Sequence, residues 1–371
     1  MKITSISSGL VLIVLMGFFV SAEGDFEIGC AMDLSNDYAS SLVIDDLDGN
    51  GVLDVLAGTV ESGQLHRLVY KDADCLVSWQ PAWSYLARGD IRSIDIADVD
   101  GDTKKEVVIN GGITKSGEGK SDAYVFVLKS DGLKLWKEDQ IGGYTFSVSA
   151  GNLDADRQLE IVAGAKNNKV VVYNEKSDLL WEFATENPVY FVKATDVDGD
   201  GVDEVVALSY KYGMATVYLL SKTGSQVWVH KIQDGIFTGG VEDPIAVADI
   251  DRDGKKEIVV GSMKHGVDVI DDKGGIKWNY PLGGLVSSVE ILDLEDDGAA
   301  EIIVGAKPDL VILDGQGNAL GENSAISHTI NSITSADVDG DGIKEVVAGT
   351  TEEVLVFDGE GELIGSWMYS S

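Results

Sequence analysis

An acidic motif of eleven residues recurs seven times along this chain. Each copy places acidic or amide side chains on alternate positions and then runs into apolar residues. The copies are DLDGNGVLDVL from Asp46, DVDGDTKKEVV from Asp98, NLDADRQLEIV from Asn152, DVDGDGVDEVV from Asp196, DIDRDGKKEIV from Asp249, DLEDDGAAEII from Asp293 and DVDGDGIKEVV from Asp337. Their spacing of 44 to 54 residues predicts one array of structural repeats and not a series of independent domains.

A turn followed by a tryptophan recurs with the same period. The copies DGLKLW, SDLLW, TGSQVW and GGIKW end at Trp136, Trp181, Trp228 and Trp278, and Trp79 and Trp367 occupy similar but less regular places. Because these tryptophans share the phase of a strand, we predict that they pack between repeats and do not form platforms for a ligand.

Each repeat is predicted to contain four short strands. In the fourth repeat these are residues 189–194, 204–208, 215–220 and 226–231, separated by turns rich in Gly, Asp, Asn and Ser. Seven four-stranded sheets set around an axis bury both faces of every sheet and leave only short edges. The sequence therefore predicts an all-β fold, a seven-bladed β-propeller over residues 23–371, with an acidic loop between the first and second strands of each blade.

The closure of the ring has more than one solution at this stage. The segment DFEIGCAM (25–32) is placed to form an outermost strand before the first blade. The segment ELIGSWMY (362–369) can take the same role in the seventh blade, or the last blade has five strands.

Residues 1–22 are typical of a signal peptide. Lys2 precedes an apolar stretch over residues 10–20, and a run of small residues ends at Ala22. Cleavage there predicts a secreted or cell-surface protein. An uncleaved anchor is the alternative, although the apolar core is shorter than the ~20 residues of a spanning helix. Export permits a disulfide between Cys30 and Cys75, but we predict that the two lie too far apart to pair.

The charge of the chain restricts its partners. The formal net charge is −35, from 63 acidic and 28 basic residues, which argues against nucleic acid and anionic membrane surfaces as partners. Two carboxylates about 4 Å apart repel by on the order of 1 kcal/mol even in bulk water. The alternation of acids in each motif therefore predicts a positive ion between them.

The spacing of the acids indicates which ion this is. Taking Asp196 as position 1, Asp198, Asp200 and Glu204 fall at positions 3, 5 and 9, and the residue at position 6 is glycine, which permits a sharp turn. Hard oxygen ligands on a flexible loop suit Ca²⁺, whereas Mg²⁺ prefers tighter octahedral sites with more water. An EF-hand does not fit, because position 12 is Ala207 inside an apolar strand.

Loops of the form Asp-x-Asp/Asn-x-Asp-Gly-x-x-Asp, followed by a glycine as in residues 259–261 and 303–305, resemble FG-GAP repeats. These repeats are known from the seven-bladed propellers of integrin α chains and from many exported microbial proteins. The resemblance covers nearly the whole mature chain. It implies several Ca²⁺ ions in the loops and partners on the opposite face.

The resemblance also implies the metal ligands, copy by copy. They are Asp46, Asp48, Asn50 and Asp54; Asp98, Asp100, Asp102 and Glu106; Asp196, Asp198, Asp200 and Glu204; Asp249, Asp251, Asp253 and Glu257; Asp293, Glu295, Asp297 and Glu301; and Asp337, Asp339, Asp341 and Glu345. The fourth, fifth and seventh loops are complete. The first lacks one charge, the second has Thr103 at the glycine position, and the sixth has a longer acid at position 3.

The third loop departs furthest from the pattern. It has Asn152 at position 1 and Arg157 at the glycine position. We predict that it binds no Ca²⁺ and that the arginine substitutes for the ion. For all the loops the alternative is a solvated Asp/Gly turn that needs no ion.

The repeats leave no room for a catalytic domain, and we identify no catalytic residue. The favoured function is a non-enzymatic, calcium-binding scaffold for extracellular or cell-surface binding and adhesion. Extra residues fall at 80–90, 111–121 and 231–243, on the face predicted to lie away from the acidic loops, and we expect a protein or glycan ligand there. Neither nucleic acid nor insertion of the mature chain into a membrane is expected.

The alternative function is enzymatic. Propellers also serve polysaccharide lyases and quinoprotein oxidoreductases, but the four histidines form no local metal or triad motif. The tripeptide Arg88-Gly89-Asp90 is interpreted as a chance match to an integrin ligand. Turnover on polysaccharides or a bound redox chromophore would favour an enzyme.

Overall fold

The structure is a computed structural model that describes residues 18–20, 26–28, 39–51, 54–59, 62–70, 79–87, 89–114, 121–138, 141–211, 213–233, 245–262, 265–306, 308–338, 343–350 and 352–368. In these residues the chain forms a pair of short strands and seven four-stranded sheets. The pair consists of β1 (Phe18–Val20) and β2 (Phe26–Ile28), which are antiparallel to each other.

Each of the seven sheets is a blade built from four consecutive antiparallel strands. Blade one contains β3 (Ala39–Asp45), β4 (Asp54–Thr59), β5 (Gln64–Tyr70) and β6 (Trp79–Leu86); blade two contains β7 (Ile94–Ala97), β8 (Glu106–Thr114), β9 (Ser121–Leu128) and β10 (Lys134–Glu138); blade three contains β11 (Thr145–Gly151), β12 (Glu160–Ala165), β13 (Lys169–Tyr173) and β14 (Leu179–Ala184). Blade four contains β15 (Val189–Thr195), β16 (Glu204–Lys211), β17 (Met214–Leu220) and β18 (Gln226–Gln233); blade five contains β19 (Ile245–Ala248), β20 (Glu257–Gly261), β21 (Val267–Ile270) and β22 (Ile276–Tyr280). Blade six contains β23 (Val286–Leu292), β24 (Glu301–Ala306), β25 (Leu310–Leu313) and β26 (Ala319–Asn323); blade seven contains β27 (Ile330–Ala336), β28 (Glu345–Thr350), β29 (Glu353–Phe357) and β30 (Leu363–Met368).

This architecture confirms the predicted seven-bladed propeller. In blade four the observed strands match the predicted ones and extend a few residues further. The last blade has four strands, because β30 pairs with β29 and forms the fourth strand of blade seven. The other candidate segment contributes β2, which pairs with β1 and, in the part of the chain that the structure describes, with no blade.

The meander order of the strands places successive loops on alternate faces of the propeller. Loops after the first and third strands lie on one face, which we call the acidic-loop face. Loops after the second and fourth strands lie on the opposite face. The predicted extra residues belong to connections after second and fourth strands, but part of each predicted segment is strand and not loop: residues 80–86 lie in β6, 111–114 in β8, 121 in β9 and 231–233 in β18. Residues 115–120 and 234–244 lie outside the described part of the chain.

The hydrophobic core lies between neighbouring blades. Its strands are buried where the sequence is continuously apolar, as in residues 161–165 of β12. One cluster joins Val162 and Val170 of blade three to Val205 and Ala207 of blade four, all fully buried. A single repeat cannot bury both of its faces, so each blade depends on its neighbours for its core.

The recurring tryptophans connect each blade to the next. Each indole Nε1 donates to a main-chain oxygen in the turn after the third strand of the following blade: Trp136 to Glu175, Trp181 to Lys222 and Trp228 to Asp272, each at 2.9 Å. This confirms the prediction of packing between repeats. In blade one it is Trp83, which the repeat pattern did not single out, that makes the equivalent bond, to Ser130 at 2.9 Å.

Several predictions about the N-terminal region fall outside the described residues. Cleavage after Ala22 would cut between β1 and β2, but Ala22 itself, Cys30 and Cys75 are not among the described residues. Within the part of the chain that the structure describes, no helix has the length and apolar character needed to cross a membrane.

The contact between Trp181 and Gly224 provides a test of the packing between blades. Gly224 has φ +76°, and a Cβ there would lie 2.7 Å from the indole ring of Trp181. We expect Gly224→Ala to lower the free energy of unfolding by about 2–4 kcal/mol, since backbone strain adds to a steric clash. Urea denaturation measures the loss.

Gly213 supplies the matched control. It has φ +85°, and no heavy atom of the described residues lies within 4 Å of the position of its Cβ. Gly213→Ala should therefore show the backbone cost alone, about 1–2 kcal/mol. Equal losses in the two variants would mean that the indole does not pack closely against Gly224.

Candidate metal centres

The acidic loops of blades one, two, four, five and six share one backbone conformation, in which the amide of position 6 donates to the carboxylate of position 1. In blade four the left-handed residues Gly199 (φ 79°) and Gly201 (φ 89°) curve the chain, and the Gly201 amide donates to Asp196 Oδ2 at 2.9 Å. The loops of blades one, two, five and six form the same bond. In blade two Thr103 takes this position with φ 75°. A β-branched residue is strained there by about 1–3 kcal/mol, yet the loop keeps its shape.

The acid at position 9 connects the loop to the first strand. It accepts a hydrogen bond from the amide of position 2 in every blade. In blade four Glu204 Oε2 accepts from Val197 at 3.1 Å. The equivalent bonds involve Asp54, Glu106, Glu160, Glu257, Glu301 and Glu345. This acid therefore has a structural role even in a loop that holds no ion.

Four loops bring three carboxylates together. In each, one oxygen from positions 1, 3 and 9 lies within 4.8 Å of the other two. The groups are Asp46, Asp48 and Asp54; Asp98, Asp100 and Glu106; Asp196, Asp198 and Glu204; and Asp249, Asp251 and Glu257. Groups of this kind are hard oxygen sites suited to a divalent cation such as Ca²⁺.

The acids at position 5 do not join these groups. Asp102, Asp200 and Asp253 are exposed, and each accepts a hydrogen bond from the amide two residues further on, at 2.8–2.9 Å. Sequence spacing placed them among the ligands, whereas in this conformation they close the turn.

The electrostatics of blade two fit a cation. Burial, together with the nearby charges of Asp100 and Asp102, raises the pKa of Glu106 to about 7. Asp98 Oδ1 is buried and has no hydrogen-bond partner among the described residues. In blade four, burial and the neighbouring aspartates likewise raise the pKa of Glu204. A buried carboxylate oxygen without a donor is costly, and a cation would compensate it.

In two of the four groups a basic side chain of the same blade reaches the carboxylates. In blade one Arg67 Nη2 lies 2.6 Å from Asp48 and 2.8 Å from Asp54. In blade five Lys277 Nζ contacts Asp251 and lies 2.9 Å from Glu257 Oε1. Reasoning on the loops alone missed both residues.

The sequence contains a signal for these two basic residues. The residue before the repeated tryptophan is Leu135, Leu180 or Val227 in blades two, three and four, but Lys277 in blade five. Arg67 similarly interrupts a third strand whose equivalent positions in blades two to five are apolar.

The third, sixth and seventh loops form no group of this kind among the described residues. In the third, Asn152 donates its amide to Asp156 O at 3.1 Å, so an Nδ2 stands where other loops have an accepting oxygen. Arg157 is exposed and forms no ion pair with a described carboxylate. In the sixth, Lys344 of blade seven pairs with Asp296. Asp339 and Asp341 of the seventh loop lie outside the described residues.

The loops also connect one blade to the preceding one. The amide of Asp203 donates to Asn152 O at 2.9 Å, and its carboxylate accepts from the Asn152 amide at 2.7 Å. In blade two Lys105 Nζ pairs with Asp45 of blade one at 2.6 Å. An ion bound in a loop would therefore stabilise contacts between blades as well as within one.

Comparisons with known proteins agree with this architecture. The FG-GAP-like repeat family matches residues 196–260, which run from the loop of blade four to the second strand of blade five. No curated protein sequence matches the chain.

Three crystal structures show the shared fold. Rhamnogalacturonan lyase YesW has a TM-score of 0.58 at 18% identity, over 87% of this chain and 67% of the lyase. BamB from Moraxella catarrhalis has a TM-score of 0.57 at 16% identity, over 90% of this chain and 91% of BamB. BBS1N, in its complex with ARL6DN, has a TM-score of 0.57 at 9% identity, over 90% and 92%. Identities this low show a common fold alone.

The raised pKa of Glu106 predicts a pH dependence of stability in calcium-free buffer. Its folded-state pKa of about 7 exceeds its ordinary value of 4.5, so the folded protein binds the proton more tightly than the unfolded chain. The contribution of Glu106 to the free energy of unfolding is therefore expected to be greatest below pH about 4.5 and to decrease as pH rises through about 7. Glu106→Gln should reduce the loss between pH 5 and pH 8 by on the order of 1 kcal/mol in urea denaturation. The same loss in both proteins would contradict this.

Proposed function

We propose that this seven-bladed β-propeller, which carries an FG-GAP-like repeat at residues 196–260, is a calcium-stabilised, non-enzymatic binding scaffold that is secreted or held at the cell surface. The observation that carries the proposal is that the two faces of the propeller differ in composition. Carboxylate groups are concentrated on the acidic-loop face, and a row of aromatic side chains lies on the opposite face.

Calcium is the ion that these donor sets suit best. Asp98, Asp100 and Glu106 would hold it in blade two, and the equivalent acids would hold it in blade four. Oxygen ligands on a loop that is already curved by left-handed residues match its preference for several oxygens at about 2.3–2.6 Å. A bound ion would join the first and second strands and offset the net charge of −35.

Asp198 provides the test of calcium binding. Asp198→Asn removes a charge from the group of blade four and should reduce the stabilisation that calcium gives. A site filled at about 100 times its Kd adds about 2.7 kcal/mol to stability, so its loss is measurable. Thermal melts with and without millimolar calcium measure the effect.

The third loop offers the matched control. Asp154 occupies the same position there, but its loop forms no group of three carboxylates among the described residues. Asp154→Asn should leave the calcium-dependent shift in melting temperature unchanged. Identical melts of the wild-type protein in calcium and in chelator would overturn the calcium part of the proposal.

The aromatic row on the opposite face is the best candidate for a ligand surface. Phe146 stacks on Tyr190 with ring centroids 4.4 Å apart, and Tyr144 and Tyr210 flank the pair at 5.0 and 6.1 Å. Phe146, Tyr190 and Tyr210 are half-buried, so their rings remain partly accessible. They lie at the ends of first and second strands, the positions nearest the axis of a propeller.

A polar group borders this row. Arg92 Nε donates to Tyr144 Oη at 2.9 Å, and Tyr144 donates to Asp90 Oδ2 at 2.8 Å. Arg92 and Asp90 also form an ion pair at 3.1 Å. Aromatic rings beside an arginine are the composition of binding hot spots, and they suit a protein or glycan ligand. Because Asp90 is engaged here, the Arg-Gly-Asp tripeptide does not present a free carboxylate.

Binding experiments test this surface. Calcium-loaded protein is applied to a glycan array and, separately, used to capture extracellular proteins. For a ligand found by either method, Phe146→Ala should weaken binding at least about tenfold, which corresponds to about 1.4 kcal/mol. Phe183→Ala is the control, because Phe183 is also half-buried but lies in an outer strand, β14. Equal affinity of Phe146→Ala and wild type would place the ligand elsewhere.

A polysaccharide-active enzyme is the second candidate. It is suggested by the likeness to rhamnogalacturonan lyase YesW, although at 18% identity this supports the fold and not the activity. Release of unsaturated products from pectic polysaccharides by the purified protein, abolished by substitutions on the opposite face, would favour this function over a scaffold.

A further inference from the structure

Two acidic groups already contain a positive charge supplied by the chain. Arg67 in β5 is almost buried, and its guanidinium donates to Asp48 at 2.6 Å, to both oxygens of Asp54 at 2.8 and 2.9 Å, and to Ser130 O at 3.2 Å. These bonds satisfy carboxylates from positions 3 and 9 of the loop at once. A planar guanidinium suits this arrangement, because its donors point in fixed directions.

Lys277 in β22 plays the corresponding part in blade five. Its Nζ contacts Asp251 at position 3 and lies 2.9 Å from Glu257 Oε1 at position 9. The ammonium thus bridges the two acids that an ion in this loop would bridge. The fifth loop has all four acids of the motif, so its ligand positions do not distinguish it from the fourth.

Blades two and four have no basic residue at either position. The equivalents of Arg67 are Val127 and Leu219, and the equivalents of Lys277 are Leu135 and Val227. A buried carboxylate oxygen without a hydrogen-bond partner among the described residues occurs in one group of each kind, Asp98 Oδ1 in blade two and Asp251 Oδ1 in blade five, so the basic side chains alone separate the groups. The four groups therefore fall into two kinds. In blades one and five a basic side chain of the protein balances the carboxylates, whereas in blades two and four none does so among the described residues.

We propose that Arg67 and Lys277 are built-in substitutes for the metal ion, so that the groups of blades two and four bind calcium and those of blades one and five do not. The inference rests on the proposed function, in which the loops bind calcium, and adds which loops do so. An ion and an ammonium that share the same two carboxylates would lie within about 4 Å of each other and repel, so they exclude one another.

Exchange of one residue between blades five and four tests the proposal. Lys277→Val gives blade five the residue of blade four and frees two carboxylates. Asp251 Oδ1, which is buried and has no hydrogen-bond partner among the described residues, is then available as a further ligand. Val227→Lys makes the reverse exchange at a position that is 54% exposed and tolerates a long side chain. Equilibrium dialysis with radioactive calcium counts the ions bound by the full chain.

We expect Lys277→Val to bind one more ion than the wild type and Val227→Lys to bind one fewer. Without calcium, Lys277→Val should melt at a lower temperature than the wild type. Addition of calcium should raise the melting temperature of the variant to that of the wild type. Unchanged ion counts in both variants would overturn the inference. Lys277→Gln, which keeps the polar side chain but removes its charge, provides the same measurement if the valine variant does not fold.

The outcome also separates this inference from the proposed function. If the wild type and Asp198→Asn bind no calcium and Lys277→Val binds none either, the calcium function fails and the inference with it. If the wild type binds calcium, Asp198→Asn loses an ion and Lys277→Val gains none, the calcium function stands and only the substitution by Lys277 is wrong.

Discussion

The acidic loops depend on one constraint, which is that the backbone holds several carboxylates close together. In blade four the Gly201 amide fixes Asp196, and the Val197 amide fixes Glu204 at the other end of the loop. The oxygens cannot separate to relieve their repulsion without breaking these bonds. Each group therefore needs a positive charge at its centre, and the chain supplies one itself in blades one and five.

The consequences of this local balance extend around the ring. A blade buries its faces only against its neighbours, and the loops add polar bonds to the same interfaces, such as Asp203 to Asn152 and Lys105 to Asp45. A loop that loses its charge balance would therefore disturb two blades. This explains why the acid at position 9 is present even in the third loop, where Glu160 still accepts the amide of Leu153.

The sequence predicted the fold well because turn residues, strand periodicity and repeat spacing are all local features of the chain. The bounds of the strands in blade four and the position of the acidic loops followed from them. The contents of the loops were harder to predict. Arg67 and Lys277 reach the carboxylates from the third and fourth strands, and only the pairing of strands brings them there. The role of Trp83 was missed because β6 contains two tryptophans, and only strand pairing shows that Trp83, opposite Arg67, is the equivalent of Trp136, opposite Val127.

The position of the aromatic row relates the two faces to each other. Arg92 precedes the first strand of blade two, Phe146 lies in blade three and Tyr190 lies in blade four. The row thus extends over the sector from blade two to blade four, and these are the two blades whose acidic groups have no basic partner among the described residues. On the proposals above, calcium would stabilise the blades that carry the ligand surface, while the blades on either side of that sector, one and five, would be stabilised by Arg67 and Lys277 at any calcium concentration. Ligand affinity would then depend on calcium through the rigidity of this sector, without any contact between ion and ligand.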